Sequence, residues 1–150
     1  MDDRLEFAKR VLSNLEIPTR TKAANALLGW MIAESGANLC NGVPGNGARY
    51  NPLNTTKVMG EKCDISNYNS VGVKNYASKK CGVQATVATL ENPRYRDVVR
   101  QLKRVIYPGW RNRFANAVQE SGWGTSAAGV LAGIDAVERE PARWRNIPVG

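Results

Sequence analysis

The chain contains no histidine. A Ser–His or Cys–His nucleophile is therefore excluded, and acid–base chemistry falls to carboxylates, Lys, Tyr or Cys. Cysteine is scarce as well: Cys40, Cys63 and Cys81 are the whole set. An odd count without Cys-x-x-Cys spacing argues against a disulfide framework, though one bridge between two of the three stays open. Without His and with so few Cys, a zinc site lacks its usual ligands, and no metal or other cofactor is expected. No apolar run reaches the ~18 residues of a membrane helix, so no membrane insertion is expected. The first residues, MDDRLEFAKR, lack the apolar centre of a signal peptide, so synthesis in a cytoplasm without a leader is the expectation. Basic residues form no block, which argues against a disordered nucleic-acid arm. No recognised nucleic-acid motif is present, and no such partner is expected. Gly42, Gly45, Gly47 and Gly60 fit neither the dinucleotide nor the phosphate-loop pattern.

What is present is a chain of 150 residues, 43% hydrophobic and 23% charged, with a net charge of +8. That is the usual size of one domain with a real core, and a single domain over 1–150 is expected. The charge favours polyanionic partners, among them nucleic acid, an anionic membrane or the bacterial wall. Apolar spacing predicts a helix over Asp3 to Leu15, with Ala8, Val11, Leu12 and Leu15 on one face. Thr19 or Thr21 can cap a second helix, Thr21 to Gly36, that is apolar nearly all round and so central. Asn38 to Cys63 is rich in Gly, Pro and Asn and reads as an irregular lobe. Asn69 to Tyr76 alternates weakly, as a short strand does. Ser78 caps a helix from Lys79 to Leu90, and Asn92-Pro93 breaks it and opens the next. There Tyr95, Val98, Val99, Leu102 and Ile106 form an inward stripe. The opposite face, with Arg96, Arg100, Lys103 and Arg104, reads as solvated. A helix from Trp110 to Ser121 follows, and Thr125 or Ser126 caps a last one ending near Glu140-Pro141. The sum is a mostly α, α+β-type domain with about six helices, a small irregular or β lobe, and a cleft available between lobes.

Two triplets carry a carboxylate before Ser-Gly: Glu34-Ser35-Gly36 and Glu120-Ser121-Gly122. At about 100° per residue, Glu34 falls between Trp30 and Leu27 and close to Met31, inside the apolar stripe. Glu120 falls near Arg113 and Asn116, on the polar face of its helix. A carboxyl among apolar side chains loses hydration, its pKa rises, and it can stay protonated long enough to protonate a leaving oxygen. An ordinary surface charge near a helix end is the plain alternative for Glu34.

The run WMIAESG, then Asn51-Pro52-Leu53-Asn54-Thr55-Thr56, then VGVKNYAS, then GVQATVATL with Asn92-Pro93-Arg94-Tyr95, resembles the lysozyme-like superfamily. It is most similar to small peptidoglycan hydrolases of phage endolysins and tail-associated lysins, and in motif order to flagellar-type glucosaminidases. The match spans about residues 24 to 95, with SGWGTS at 121–126 as a further similar element. Ala37 departs from the glucosaminidase pattern, which often has Trp there, and NPLNTT lacks that family's Phe-Gly.

The resemblance implies a two-lobed lysozyme-like fold and a bacteriolytic hydrolase, a glycosidase of bacterial cell-wall peptidoglycan, most like a muramidase. Glu34 would be the general acid and Tyr76 would sit near the reaction centre. Asn54 and Thr55 would line the cleft, and Trp123 and Thr125 would contact sugar. Lytic transglycosylase or glucosaminidase chemistry is the alternative on the same fold. A non-catalytic wall-binding or virion module is the alternative of another class. Glu61 and Asp64 are candidates for the second catalytic group, against plain loop charges. A monomer is expected, made in a host cytoplasm with free thiols and delivered to the wall by a bacteriophage, as a lysis enzyme or a virion component.

Overall fold

The structure, a computed structural model, describes residues 4–35 and 48–141. Asp3, the stop at Gly36, Ala37, Cys40, the glycines 42, 45 and 47, and the basic tail from Ala142 lie outside the described residues.

Among the described residues there are six α-helices and one two-stranded antiparallel sheet, so the fold is mostly α with a small β element. Helix α1 (Arg4–Asn14) buries Phe7, Ala8, Val11 and Leu12. Helix α2 (Thr21–Ser35) buries an unbroken run from Ala23 to Met31, as its all-round apolar sequence demands. It is the central helix, packing on α1 and most extensively on α6 (Ala127–Arg139). Close approach of those two helices is set by glycine. A Cβ added to Gly133 would lie 2.8 Å from the Gly29 carbonyl carbon, and one added to Gly29 would lie 2.5 Å from Ile134 Cγ1.

Strand β1 (Asp64–Asn67) pairs with β2 (Lys74–Tyr76), with a bulge after Asp64. The expected strand over Asn69 to Tyr76 is thus only its last three residues. The rest turns: Asn69 accepts the Val73 N–H through its side chain, and Gly72 has φ 91°. Strand β1 lies where an irregular lobe was expected, and its exposed DISN sequence carries no alternating apolar signal.

Helix α3 (Lys79–Leu90) is capped by Ser78, whose Oγ accepts the Cys81 N–H, as its sequence indicates. After Asn92, Pro93–Tyr95 forms one 3-10 turn before α4 (Arg96–Lys103), so Pro93 opens a tighter turn than expected. The inward stripe is corrected at its end. Ile106 is exposed and Val105 is buried. The cause is a tight turn, Arg104 N–H to Gln101 O, which ends the helix and rotates the chain. Helix α5 (Trp110–Glu120) and α6 follow, α6 capped by Ser126. Cys63 and Cys81 form a disulfide, so these two are not the free thiols expected.

Candidate active site

The burial that runs along α2 stops at Met31, and Ile32 to Ser35 emerge from the core. Glu34 stands on this last turn, half-buried. Ser35 Oγ donates to the Met31 carbonyl, and Asn54 Nδ2 donates to the Glu34 carbonyl (3.1 Å), so the free carbonyls of the helix end find partners.

Asn54 reaches that position because its backbone is left-handed, φ 57°, which Asn tolerates better than most residues. The loop around it is pinned by Asn51, a buried amide. Asn51 Nδ2 donates to the Thr55 and Lys74 carbonyls, and Asn51 Oδ1 accepts the Thr55 N–H, each at 2.8 Å. Sequence reasoning gave Asn51 no part in positioning the site. Its Asn-Pro context signals a turn, but nothing local reveals the link to strand β2.

Trp123 arrives from the opposite side, on the loop between α5 and α6. Gly122 (φ 78°) and Gly124 (φ 102°) flank it, and these left-handed positions let the chain swing the indole inward. The ring meets Trp30 edge-on at 5.2 Å and Tyr95 at 5.1 Å. Arg94 clamps the loop from below, donating from Nε to the Ser121 carbonyl (2.6 Å) and from Nη2 to the Gly122 carbonyl (3.1 Å).

Burial pushes the Glu34 carboxyl above its ordinary value of 4.5, while N–H groups of Asn54, Trp123 and Trp30, in falling order, pull it back. The pull of the Trp30 N–H is the weakest of the three, and that buried N–H closes no well-formed hydrogen bond. Thr125 Oγ1 is also buried and unpartnered. Thr125 lies close to the end of α2: a Cβ on Gly129 would stand 3.9 Å from Ala33 Cβ and 4.0 Å from Thr125 Cγ2. Unpaired buried polar atoms are costly and rare in folded proteins.

Glu34, Asn54 and Trp123 are thus brought together, Trp30 joins them as a donor the sequence showed only as apolar, and Thr125 packs with Gly129 beside Ala33. Tyr76 and Thr55 are held differently. Tyr76 is fully buried against Cys81 and Ala85, and its hydroxyl donates to the Lys57 carbonyl (2.7 Å). Burial, and then the Asp64 carboxylate, push its phenol far above the ordinary range, so it does not give up a proton readily. Thr55 is buried with its hydroxyl 2.6 Å from Thr89 Oγ1, tying the loop to α3. Both are spent on shaping the lobe.

The rival carboxylate, Glu120, is exposed, as the helical-wheel argument predicts. Of the other two acids, Glu61 is exposed and Asp64 accepts the N–H groups of Met59 and Gly60. No charged group figures among the influences on Glu34. The arrangement is one acid, desolvated and ringed by neutral donors. Such a group can donate a proton, and among the described residues no carboxylate beside it is set to act as nucleophile or base. Among the described residues no group of His, Cys, Asp or Glu could hold a metal ion. A cavity of about 660 Å³ lies elsewhere, between α1, α3 and α4.

No family model matches this chain, and neither a curated protein nor a solved structure does.

Proposed function

We propose that the protein is a lysozyme-like enzyme that cleaves the glycan strand of bacterial peptidoglycan, with Glu34 as general acid. The observation that carries this reading is the Glu34 setting: a half-buried carboxyl with a raised pKa, faced by Trp30, Trp123 and Asn54 donors. Glycosidic cleavage begins by protonating the leaving oxygen, which needs a carboxylic acid still protonated near working pH. Trp123, partly exposed and backed by the buried rings of Trp30 and Tyr95, gives an aromatic face against which a sugar ring packs. The net charge of +8 suits an anionic wall.

Within this reading, muramidase action is the principal assignment. Lytic transglycosylase action is the second, favoured by the absence of charged groups acting on Glu34 among the described residues. In that case the substrate's own hydroxyl closes on the anomeric carbon, and no enzymic nucleophile is required. Delivery by a bacteriophage, as a lysis enzyme or a virion part, fits the same reading.

The test is mass spectrometry of wall fragments after digestion with wild type, Glu34→Gln and Glu120→Gln proteins. Wild type and Glu120→Gln release fragments with a muramic-acid or anhydro end, while Glu34→Gln loses about 10²- to 10⁴-fold in rate. Equal release by Glu34→Gln defeats the assignment. Wall binding without any release indicates a non-catalytic binding module.

A further inference from the structure

The cavity of about 660 Å³ away from Glu34 has an unusual charge pattern. One wall is a single face of α4: Arg96, Val99, Arg100 and Lys103 follow the i, i+3, i+4, i+7 spacing that puts side chains in one row. Sequence alone reads this row as a solvated face. The fold sets it opposite two carboxylates. Glu91 stands at the end of α3, and Glu16 at the exit from α1.

Glu16 is held there by the backbone. Helix α1 closes with the Ile17 N–H on the Leu12 carbonyl (2.9 Å) and the Glu16 N–H on the Ser13 carbonyl (3.0 Å), with Ile17 buried behind. That closure puts the intervening residue in the left-handed region, and Glu16 has φ 59°. Gly is the usual occupant. A carboxylate is kept where chain geometry favours glycine.

Arg96, Lys103, Glu16 and Glu91 have no side-chain ion pair among the described residues, and Arg100 has only an exposed contact with Asp97 at 3.9 Å. Cations and carboxylates therefore face one cavity without neutralising each other. Its floor is apolar, from Leu15, Leu90, Pro93 and Val99. A polyanion such as nucleic acid would meet the two carboxylates, and a single small anion would leave them unused. The pattern fits a short peptide with at least one free amine, more than one carboxylate and small aliphatic side chains. The volume is in the range of small-ligand pockets.

We propose that this cavity binds the short peptide that branches from the wall glycan, its carboxylates on Arg96 and Lys103, its amine on Glu16 and Glu91. The proposal rests on the peptidoglycan reading for the choice of peptide. The groove also communicates with the Glu34 site. The turn from Asn92 to Tyr95 gives Asn92 and Pro93 to the cavity, and from its other side Arg94 and Tyr95 support the Trp123 loop. Peptide and glycan can thus be read by two sides of one turn.

The experiment is an NMR titration of ¹⁵N-labelled full-length protein with three probes. They are a synthetic Ala-γ-Glu-diamino acid-Ala tetrapeptide, the wall disaccharide without peptide, and a short oligothymidylate. The tetrapeptide is expected to move amide signals of residues 14–16 and 90–103, and the other two probes to leave them in place. Arg96→Glu with Lys103→Glu, and separately Glu16→Lys with Glu91→Lys, should each weaken the peptide about tenfold or more. All four side chains are exposed, and the unperturbed spectrum of each variant checks its fold. No shifts with millimolar tetrapeptide, unchanged affinity in both charge-reversed proteins, or stronger shifts with the oligonucleotide would overturn the inference. Wall digestion by wild type, run beside it, keeps the two readings apart. Digestion without peptide binding ends this proposal alone, and peptide binding without digestion ends the glycosidase reading alone.

Discussion

Replacing Gly133 with Ala tests the packing that brings α2 and α6 together. In the structure an added Cβ falls 2.8 Å from the Gly29 carbonyl carbon and 3.1 Å from Gly29 Cα, and nearer still to the carbonyl oxygen. Ordinary contact is about 3.5–4.0 Å. The obstacle is backbone, so no rotamer change relieves it, and the helices must separate by roughly 1 Å along their most extensive contact. A gap of that size forfeits a quarter to a half of the dispersion attraction of the atoms lining it. Overpacking of this kind costs about 3 kcal/mol at the upper end of its usual range. Exchanging Gly for Ala in a helix returns about 1 kcal/mol. The net expectation is a loss of about 2 kcal/mol, or a fall of about 4–8 °C in Tm for a chain of this length. Urea unfolding followed by circular dichroism measures it. Gly129→Ala on the same helix is the control. Its added Cβ meets first the tip of a side chain and not backbone, the Ser126 hydroxyl at 3.2 Å that caps α6, and a change within about 0.5 kcal/mol is expected. A Gly133→Ala protein as stable as wild type would refute the close crossing.

Three further outcomes follow from the site and the lobe. Trp123→Phe keeps the ring contacts and removes an N–H that lowers the Glu34 pKa, so the alkaline limb of the pH–activity profile should move to higher pH. A limb that stays put or moves down contradicts the role given to the indole. Glu34→Gln should also change stability in a pH-dependent way. The folded-state pKa of Glu34 is raised, so its protonation favours the native state fully below 4.5, and that contribution is lost as pH rises through the folded value. The Tm of Glu34→Gln relative to wild type should therefore climb as pH rises above 4.5 until Glu34 has ionised in the folded protein, and a flat difference would count against the burial argument. Removing the Cys63–Cys81 bridge by replacing both residues with Ala should cost about 3 kcal/mol, for a loop of 18 residues. An unchanged urea midpoint under oxidising conditions would show that the bridge constrains nothing.

The helices were legible because their signals are local. Ser78 before an apolar period, Asn92-Pro93 after it, and an all-apolar α2 each declare themselves within a few residues. The contrast between Glu34 and Glu120 was legible for the same reason, since a helical wheel needs only the sequence of one helix. Strand β1 was not, because DISN is exposed on three of its four residues and draws its pairing from a partner seven or more residues on. Nor was the true work of Tyr76, whose hydroxyl bonds a carbonyl 19 residues away. Asn51 and Trp30 were missed for a related reason: each acts through a polar atom whose partners come from other elements. Charges on α4 looked like plain solvation until the ends of α1 and α3 were set against them.

The two indoles beside Glu34 have an optical consequence. A protonated carboxyl quenches tryptophan emission more strongly than a carboxylate, and Trp30 and Trp123 both present N–H groups to this one carboxyl. The titration of Glu34 is therefore written into the intrinsic fluorescence of the unlabelled protein. Emission should rise as Glu34 ionises, and Glu34→Gln should lose that step while Trp110, on α5, goes on emitting. A ligand that seats beside the carboxyl then announces itself by shifting the same step.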